Sequence, residues 1–247
     1  MSNLIVGASS GLGKELAYEF AKNSKNLILI SRELDDLEFL KSDLEKNFKI
    51  KVNVFEVDFS KKENVSNFIS KNFEILSNID GALFPIGMMI ENDNVKNSSE
   101  DFSNIFNANF LSIALLISKI LDVFEKRNKG FIVGFGSISA SMGRKINTAY
   151  SSAKKSLENF FESLIISNLN NKIKIQFYTL GYLDTKLTHG KKLLLPKGSP
   201  KILSSIVYKN LNQKGVKKFF PFWWIFINFV IKNLPFFISK NIIKYFN

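Results

Sequence analysis

Short apolar runs alternate with longer amphipathic stretches along most of this chain. Seven runs predict β-strands: LIV (4–6), NLILIS (26–31), IKVNVFEV (50–57), IDGALF (79–84), GFIVGFG (130–136), IKIQFYTL (173–180) and VKKFF (216–220). Between the strands, apolar residues recur at helical spacing over 12–23, 33–47, 61–77, 99–127 and 148–168. Strand–helix alternation predicts βαβ units. We therefore expect an α/β fold, with a doubly wound, Rossmann-type parallel seven-stranded sheet and helices on both faces.

The end of the chain departs from this alternation. FFPFWWIFINFVI, residues 219–231, contains no charged side chain and is framed by Lys217, Lys218 and Lys232. It is too short to span a membrane as a helix, which needs about 20 apolar residues. A shallow interfacial segment is one interpretation, and cover for an apolar patch or a subunit interface is the other. We predict a catalytic domain over 1–220 and an apolar, aromatic helical extension over 221–247.

Composition narrows the classes of function. The chain has no cysteine and one histidine, so we predict neither a disulfide framework nor a Cys- or His-rich metal site. The start of the chain lacks a basic segment before an apolar run, which predicts a cytoplasmic protein. The net charge of +12 would favour nucleic acid, anionic lipid or a phosphorylated small molecule, and compositional bias explains it equally well. We expect no nucleic-acid partner.

A glycine-rich loop follows the first predicted strand directly. GASSGLG (7–13) supplies Gly7, Ser9, Ser10, Gly11, Leu12 and Gly13 as candidate cofactor contacts. Glycines allow a tight turn and a close approach to a pyrophosphate, and the N-terminus of the following helix favours the anion. The sequence therefore predicts a dinucleotide site at this loop.

The end of the second strand bears on cofactor choice. Ser31 stands where NAD sites usually carry an acidic residue, and Arg32 follows it. Since a guanidinium can bind a phosphate through two parallel hydrogen bonds, we predict NADP(H) rather than NAD(H). Asp58 follows the third strand, and contact with adenine and a turn or cap role are both open for it.

Three residues further along form a candidate catalytic set. Tyr150 and Lys154 are four apart and share a helix face. Tyrosine has an ordinary pKa of about 10, and a nearby ammonium should favour the phenolate and lower that pKa. Ser137 lies just past the end of the fifth predicted strand, at the edge of the sheet where ligands bind in open α/β folds, and its hydroxyl could hold a carbonyl oxygen.

Over residues 3–220 these motifs resemble the short-chain dehydrogenase/reductase family in its classical form. Gly7, Gly11 and Gly13 match its glycine motif, and Ser137, Tyr150 and Lys154 match its catalytic residues. Asn109, within FNANF, matches the family's asparagine. The resemblance implies a proton relay through Asn109, Lys154, the cofactor ribose and Tyr150, and hydride transfer to a carbonyl. It also implies cofactor contacts at three further residues: Gly87, Gly181 and Thr185.

The chain departs from the family pattern near the cofactor loops. Val6 stands where the family has threonine, Phe84-Pro85-Ile86-Gly87 replaces Asn-Asn-Ala-Gly, and Leu180-Gly181 replaces Pro-Gly. Pro85 removes a backbone donor, so we expect different loop packing beside the nicotinamide.

The last third of the chain bears on the class of substrate. The resemblance makes KLTHGKKLLLPKGSP (186–200) a lid over the substrate, in which His189 is either a substrate contact or an exposed loop residue. The ending is similar to that of ketoreductases acting on a 2-keto sugar carried by a polyprenyl phosphate.

The leading hypothesis is an NADP(H)-dependent ketoreductase of a lipid-linked sugar or other amphiphile. We expect it at the inner face of the membrane, as a homodimer or homotetramer. The alternatives are a soluble reductase of acyl or small carbonyl compounds and a non-catalytic nucleotide-binding interaction protein.

Overall fold

The computed structural model describes residues 1–185, 188, 190 and 195–243. The side chains of residues 236, 242 and 243 are outside this description, as are His189 and most of the predicted lid from 186 to 194. The interpretation of His189 therefore stays a prediction.

Seven parallel strands form one sheet in the order β3-β2-β1-β4-β5-β6-β7. The strands are β1 (Ser2–Val6), β2 (Asn26–Ser31), β3 (Val52–Glu56), β4 (Ile79–Phe84), β5 (Gly130–Ser137), β6 (Ile173–Leu180) and β7 (Val216–Phe220). The strand order reverses at β1, where the chain crosses from β3 back to β4. The parallel seven-stranded sheet is thus confirmed, and its switch point lies between β1 and β4, where open α/β sheets bind ligands.

Helices connect these strands. They are α1 (Gly11–Lys22), α2 (Leu34–Asn47), α3 (Lys62–Lys71), α4 (Phe73–Ser77), α5 (Ser99–Phe106), α6 (Ser112–Arg127), α7 (Thr148–Ser167), α8 (Pro200–Asn210), α9 (Trp224–Asn233) and α10 (Phe236–Ile243). A π-turn, Asn107–Leu111, joins α5 to α6, and a 3₁₀ turn, Ile138–Ser141, follows β5.

Two apolar layers cover the sheet. Alternate residues of β1 point to opposite faces, so Val6 packs in one layer and Ile5 in the other. The first layer contains Val65 of α3, Ile113 of α6 and Leu157 of α7. The second contains buried residues of the helices on the other face: Leu16, Leu37 and Leu203. Both faces of each central strand are therefore shielded from water, which explains their continuous apolar sequences.

Two helical predictions need correction. The stretch predicted as one helix over 61–77 is two helices, because the chain breaks at Asn72, whose backbone is not helical and whose Nδ2 donates to Phe68 O at 3.0 Å. Helix α8 was not predicted from the sequence. It begins at Pro200, the last residue of the predicted lid, and Ser199 caps it by accepting from Ile202 N at 3.4 Å.

The stretch Ser99–Arg127 is long and apolar enough to cross a membrane by length and composition alone. Its apolar face nevertheless belongs to the core, where Ile113, Leu116, Ile117 and Ile120 are fully buried. It is a core helix of the sheet's first layer.

Candidate active site

One cavity of about 820 Å³ runs along the carboxyl edge of the sheet. Its walls come from the segments that follow β1, β2, β3, β4, β5 and β6. The topology therefore brings loops from distant parts of the sequence into a single concave site, as expected for an open α/β sheet.

The glycine loop forms one end of this cavity. Gly7 has φ +87° and donates its N–H to Ile30 O at 2.7 Å. A Cβ on Gly13 would lie 2.0 Å from Gly7 O, so the helix N-terminus packs directly on the loop backbone. Gly7, Ser9, Ser10, Gly11 and Leu12 line the cavity, whereas Gly13 acts through packing behind it. The side chain of Ser10 does not cap α1, and the arrangement suits an anion at the helix N-terminus.

Glu33, which the sequence analysis missed, joins Ser31 and Arg32 at the end of β2. Its carboxylate accepts from Ser31 Oγ at 2.6 Å and from Ser9 Oγ at 3.1 Å, and it pairs with Arg32 at 2.9 Å. Burial opposes its ionisation, but these three hydrogen bonds prevail and hold its pKa below the ordinary value. An acidic side chain is therefore present at the end of β2, two residues after Ser31.

Asp58 stabilises a turn, and contact with adenine stays a prediction. Its carboxylate accepts from the backbone N–H and the hydroxyl of Ser60, at 2.8 and 2.7 Å, which is a turn-stabilising role. It also lines the cavity beyond β3.

Ser137 and Tyr150 meet in the middle of the cavity. Ser137 is the last residue of β5, and its Oγ accepts from Ser139 N at 3.2 Å and from Ser139 Oγ at 2.9 Å. Burial raises the pKa of Tyr150, while its hydrogen bond with Ser137 partly opposes that rise. The expected lowering of this pKa by Lys154 is therefore wrong for the structure, because burial of the phenol dominates.

Lys154 lies one helical turn from Tyr150, and its side chain is directed into the protein. Its Nζ donates to Ile86 O at 3.0 Å and to Phe135 O at 3.2 Å, and it is 5.9 Å from the centre of the Tyr150 ring. Burial lowers the pKa of Lys154 to about 7. This amine can therefore gain or lose a proton near neutrality.

Asn109 lies in the π-turn and holds the loop after β4. Its Nδ2 donates to Met88 O at 2.8 Å and to Ile105 O at 2.9 Å, while its Oδ1 accepts from Met88 N at 3.1 Å. A Cβ on Gly87 would lie 3.7 Å from Asn109 Oδ1 and 3.8 Å from Lys154 Nζ. Asn109, Gly87 and Lys154 are thus assembled around one loop, and π-turns of this kind are frequent at functional sites.

Asp93 supports the catalytic helix and was not identified from the sequence. Its carboxylate is buried and accepts from the backbone N–H groups of Ala149 and Tyr150, each at 2.9 Å. Asn147, at the start of α7, has a left-handed backbone and provides no side-chain cap. Asp93 therefore caps this helix although it lies more than fifty residues earlier in the chain. No local sequence motif predicts such a cap.

The other end of the cavity contains the predicted contact Gly181, together with Tyr182 and Arg144. The predicted contact Thr185 lies instead against the glycine loop, since a Cβ on Gly11 would be 3.3 Å from Thr185 Cγ2. A Cβ on Gly181 would lie 1.8 Å from Trp224 Nε1, so α9 packs directly beneath the segment after β6. Tyr182 contacts the Trp224 ring edge to face at 5.2 Å. The helical extension thus forms part of the support of this half of the site.

Comparison with known proteins agrees with this geometry. The family model described as short chain dehydrogenase matches residues 3–193. The chain belongs to the short-chain dehydrogenase family. Members are oxidoreductases that act on CH–OH and C=O groups, and this short-chain dehydrogenase is an enzyme of that class.

Its relatives include several reductases and dehydrogenases. An NADP-dependent 3-hydroxy acid dehydrogenase of Schizosaccharomyces pombe is 28% identical over 195 residues, covering 76% of this chain and 75% of the relative. A human very-long-chain 3-oxoacyl-CoA reductase is 25% identical over 248 residues, covering 99% and 78%. A solved short chain dehydrogenase/reductase family protein superposes with a TM-score of 0.77 at 17% identity, over 89% of this chain and 94% of the other, which supports the fold.

Proposed function

We propose that this short-chain dehydrogenase uses NADP(H) to reduce a keto group to an alcohol. The observation that carries the proposal is the meeting of Ser137, Tyr150 and Lys154 in the same cavity as the glycine loop. A cofactor-free binding protein would need no such set of proton-handling side chains.

Each residue of the set has a role in this proposal. The Ser137 hydroxyl holds the substrate's carbonyl oxygen, and Tyr150 donates the proton that this oxygen receives. Lys154, with a pKa of about 7, takes part in proton supply to Tyr150. Asn109 fixes the loop at Gly87 against which the cofactor would lie. When bound, the dihydronicotinamide supplies the hydride.

The residues present fit a dinucleotide. The glycine loop has a positive φ at Gly7 and no room for a side chain at Gly13, so its backbone can approach a pyrophosphate. The proposed contacts beyond that loop are Ser31, Arg32, Asp58, Gly87, Gly181 and Thr185, all of which line the cavity.

NADP(H) is favoured by the position of Arg32 beside two hydroxyls, Ser9 and Ser31, that could also bind a phosphate. The name of the Schizosaccharomyces pombe relative, which includes NADP dependence, supports the same assignment. NAD(H) is the second candidate, because the Glu33 carboxylate could accept hydrogen bonds from a ribose diol. In our proposal Arg32 turns from Glu33 toward the 2′-phosphate.

The proposed substrate is an amphiphilic ketone, which includes keto groups on lipid-linked sugars and on long acyl chains. Exposed apolar side chains on the extension support this class. Five of them recur at helical spacing along one face: Phe222, Ile225, Phe226, Phe229 and Val230. We call these five residues the apolar face.

We propose that the apolar face rests on an anionic membrane on the cytoplasmic side. Lys232 and Lys240 follow it, as expected for a segment at the headgroup level. On its other side Asn228 accepts from Ser141 Oγ at 2.5 Å, which ties α9 to the turn beyond Ser137. An amphiphilic substrate in the membrane would thus reach the cavity close to the lipid surface. In this proposal residues 1–220 form the catalytic unit, and residues 221–247 attach it to the membrane.

Replacing Tyr150 by Phe tests the catalytic proposal. We expect kcat for NADPH-dependent carbonyl reduction to fall by about 10²- to 10⁴-fold, because the proton donor is removed. NADPH binding, measured by calorimetry, should change far less. Unchanged turnover in this variant would contradict the mechanism and favour the non-catalytic alternative.

A further inference from the structure

Arg144 lies in the loop that connects the two catalytic segments. The 3₁₀ turn after Ser137 precedes this loop, and α7 with Tyr150 follows it. Arg144 lines the cavity and is only partly exposed. Its position in the sequence, six residues before Tyr150, carries no motif, and only the folded loop brings it to the cavity.

The backbone of this loop is held in place. Asn147 N donates to Asp93 O at 2.7 Å, and Thr148 Oγ1 donates to Arg144 O at 3.4 Å. The same Asp93 holds the N–H of Tyr150. Asn147 and Tyr150 are therefore both anchored to Asp93, so the backbone of the loop that carries Arg144 is fixed relative to the proton donor.

Charge divides the cavity into two halves. Among the described lining residues, the acidic ones are Glu33 and Asp58, and both lie with Arg32 at the end formed by β2 and β3. The half beyond Ser137 and Tyr150 contains Arg144 together with Ile138, Ile146 and Tyr182. Burial lowers the pKa of Arg144, and the nearby Tyr182 opposes that shift. A guanidinium with its high ordinary pKa stays charged under these conditions.

We propose that Arg144 binds an oxyanion of the substrate, so that the ketone carries a carboxylate or phosphoryl group in addition to its reacting carbonyl. The planar guanidinium matches either group through two parallel hydrogen bonds. This inference rests on the proposed carbonyl reduction and specifies its substrate. Arg144 is then a specificity-determining residue that holds the carbonyl toward Ser137 and Tyr150 by its distant anionic end.

The test compares probes that differ in charge. 4-Acetylbenzoate and 4-acetylphenyl phosphate are the anionic probes, and methyl 4-acetylbenzoate is the neutral one. We expect Arg144→Gln to lower kcat/KM for an anionic probe by about 10- to 100-fold, the effect of losing a hydrogen bond to a charged group. The neutral ester should change little. Whichever anionic probe loses more identifies carboxylate or phosphoryl as the preferred group.

Two matched variants are compared with Arg144→Gln. Lys145→Gln removes the same charge from the exposed neighbouring residue and should leave all three probes unchanged. Arg144→Lys should restore part of the loss, since it keeps the charge without the planar fork. Calorimetry of 4-(1-hydroxyethyl)benzoate with the NADPH-bound enzyme, a pair that cannot exchange a hydride, gives a readout without turnover, and its affinity should fall in Arg144→Gln.

Equal losses for charged and neutral probes in Arg144→Gln would overturn the inference and make Arg144 structural. So would a wild-type enzyme that treats the three probes alike. Failure of the wild type to reduce any of the three would instead contradict the proposed carbonyl reduction itself.

Discussion

At the scale of single residues, the carboxylate of Glu33 bears on cofactor choice. It joins the glycine loop to the end of β2 through Ser9 and Ser31 and neutralises Arg32. A 2′-phosphate would compete with this carboxylate for the same donors. The Glu33 carboxylate should therefore weaken NADP(H) binding and strengthen NAD(H) binding.

Variants of Arg32 and Glu33 separate the cofactors. We expect Arg32→Ala to raise KM for NADPH by about 10- to 100-fold, because a charge-assisted contact is lost, with a much smaller effect on NADH. Glu33→Gln should lower KM for NADPH by removing like charge. Glu38→Gln, an exposed carboxylate on α2, is the control and should alter neither. Equal effects of Arg32→Ala on both cofactors, with weaker NADH binding in Glu33→Gln, would assign NAD(H).

Lys154 predicts a pH dependence of stability. Its folded pKa of about 7 is below the unfolded value of 10.5. Between these values the unfolded chain binds the proton and the native state does not, so raising the pH stabilises the native state. The group contributes a slope of up to about 1.4 kcal/mol per pH unit to the free energy of unfolding. Below pH 7 both states are protonated and the slope vanishes.

Urea unfolding of the wild type and Lys154→Met between pH 7.5 and 9.5 measures this slope. The wild-type free energy of unfolding should rise with pH relative to that of the variant, while other groups cancel in the difference. Tyr150 is present in both proteins, so its titration adds to both profiles and is removed in the difference. Parallel pH profiles would show that Lys154 is protonated in the native state.

At the scale of elements, the position of α7 depends on a cap supplied by another segment. Asp93 belongs to the connection between β4 and α5, yet its carboxylate satisfies the first N–H groups of α7. A carboxylate also interacts favourably with the positive end of the helix dipole. The orientation of Tyr150 therefore depends on Asp93 as well as on its own helix.

Replacing Asp93 by Asn should lower both stability and turnover. We expect a loss of about 1–3 kcal/mol in the free energy of unfolding, because one acceptor and the charge disappear from a buried cap. We also expect kcat to fall about 10-fold or more through displacement of Tyr150. Ser98→Ala is the matched control, since it removes the cap of α5, where Ser98 accepts from Asp101 N at 3.0 Å. If both variants lower kcat to the same degree, the positioning role is wrong.

At the scale of the whole molecule, the extension has two unlike sides. Trp224 is buried beneath Gly181, whereas Phe226 and Phe229 are each 66% exposed. Isolated exposed apolar residues are ordinary, but a continuous helical row of them marks an interaction surface. The basic net charge of +12 favours an anionic partner.

Sedimentation with phosphatidylglycerol vesicles tests membrane contact. We expect the wild type to bind, and Phe226→Asp/Phe229→Asp to lose binding, because a charge at the interface opposes insertion. Phe39→Asp, which changes a 72% exposed phenylalanine on α2, should bind like the wild type. Binding by the double variant equal to that of the wild type would contradict membrane contact. If the double variant instead converts a dimer or tetramer to a monomer without any vesicle binding by the wild type, the face is a subunit interface.

The sequence determined the strands, the glycine loop and the spacing of Ser137, Tyr150 and Lys154, because these features depend on local periodicity and on neighbours in the chain. Tertiary structure alone decided the cap from Asp93, the contact of Glu33 with Ser9 and the arrival of Arg144 at the cavity. It also reversed the expected pKa shift of Tyr150, since burial is set by the fold. In each case the partners are distant in sequence or the effect depends on surrounding protein, and only the packed sheet brings them together.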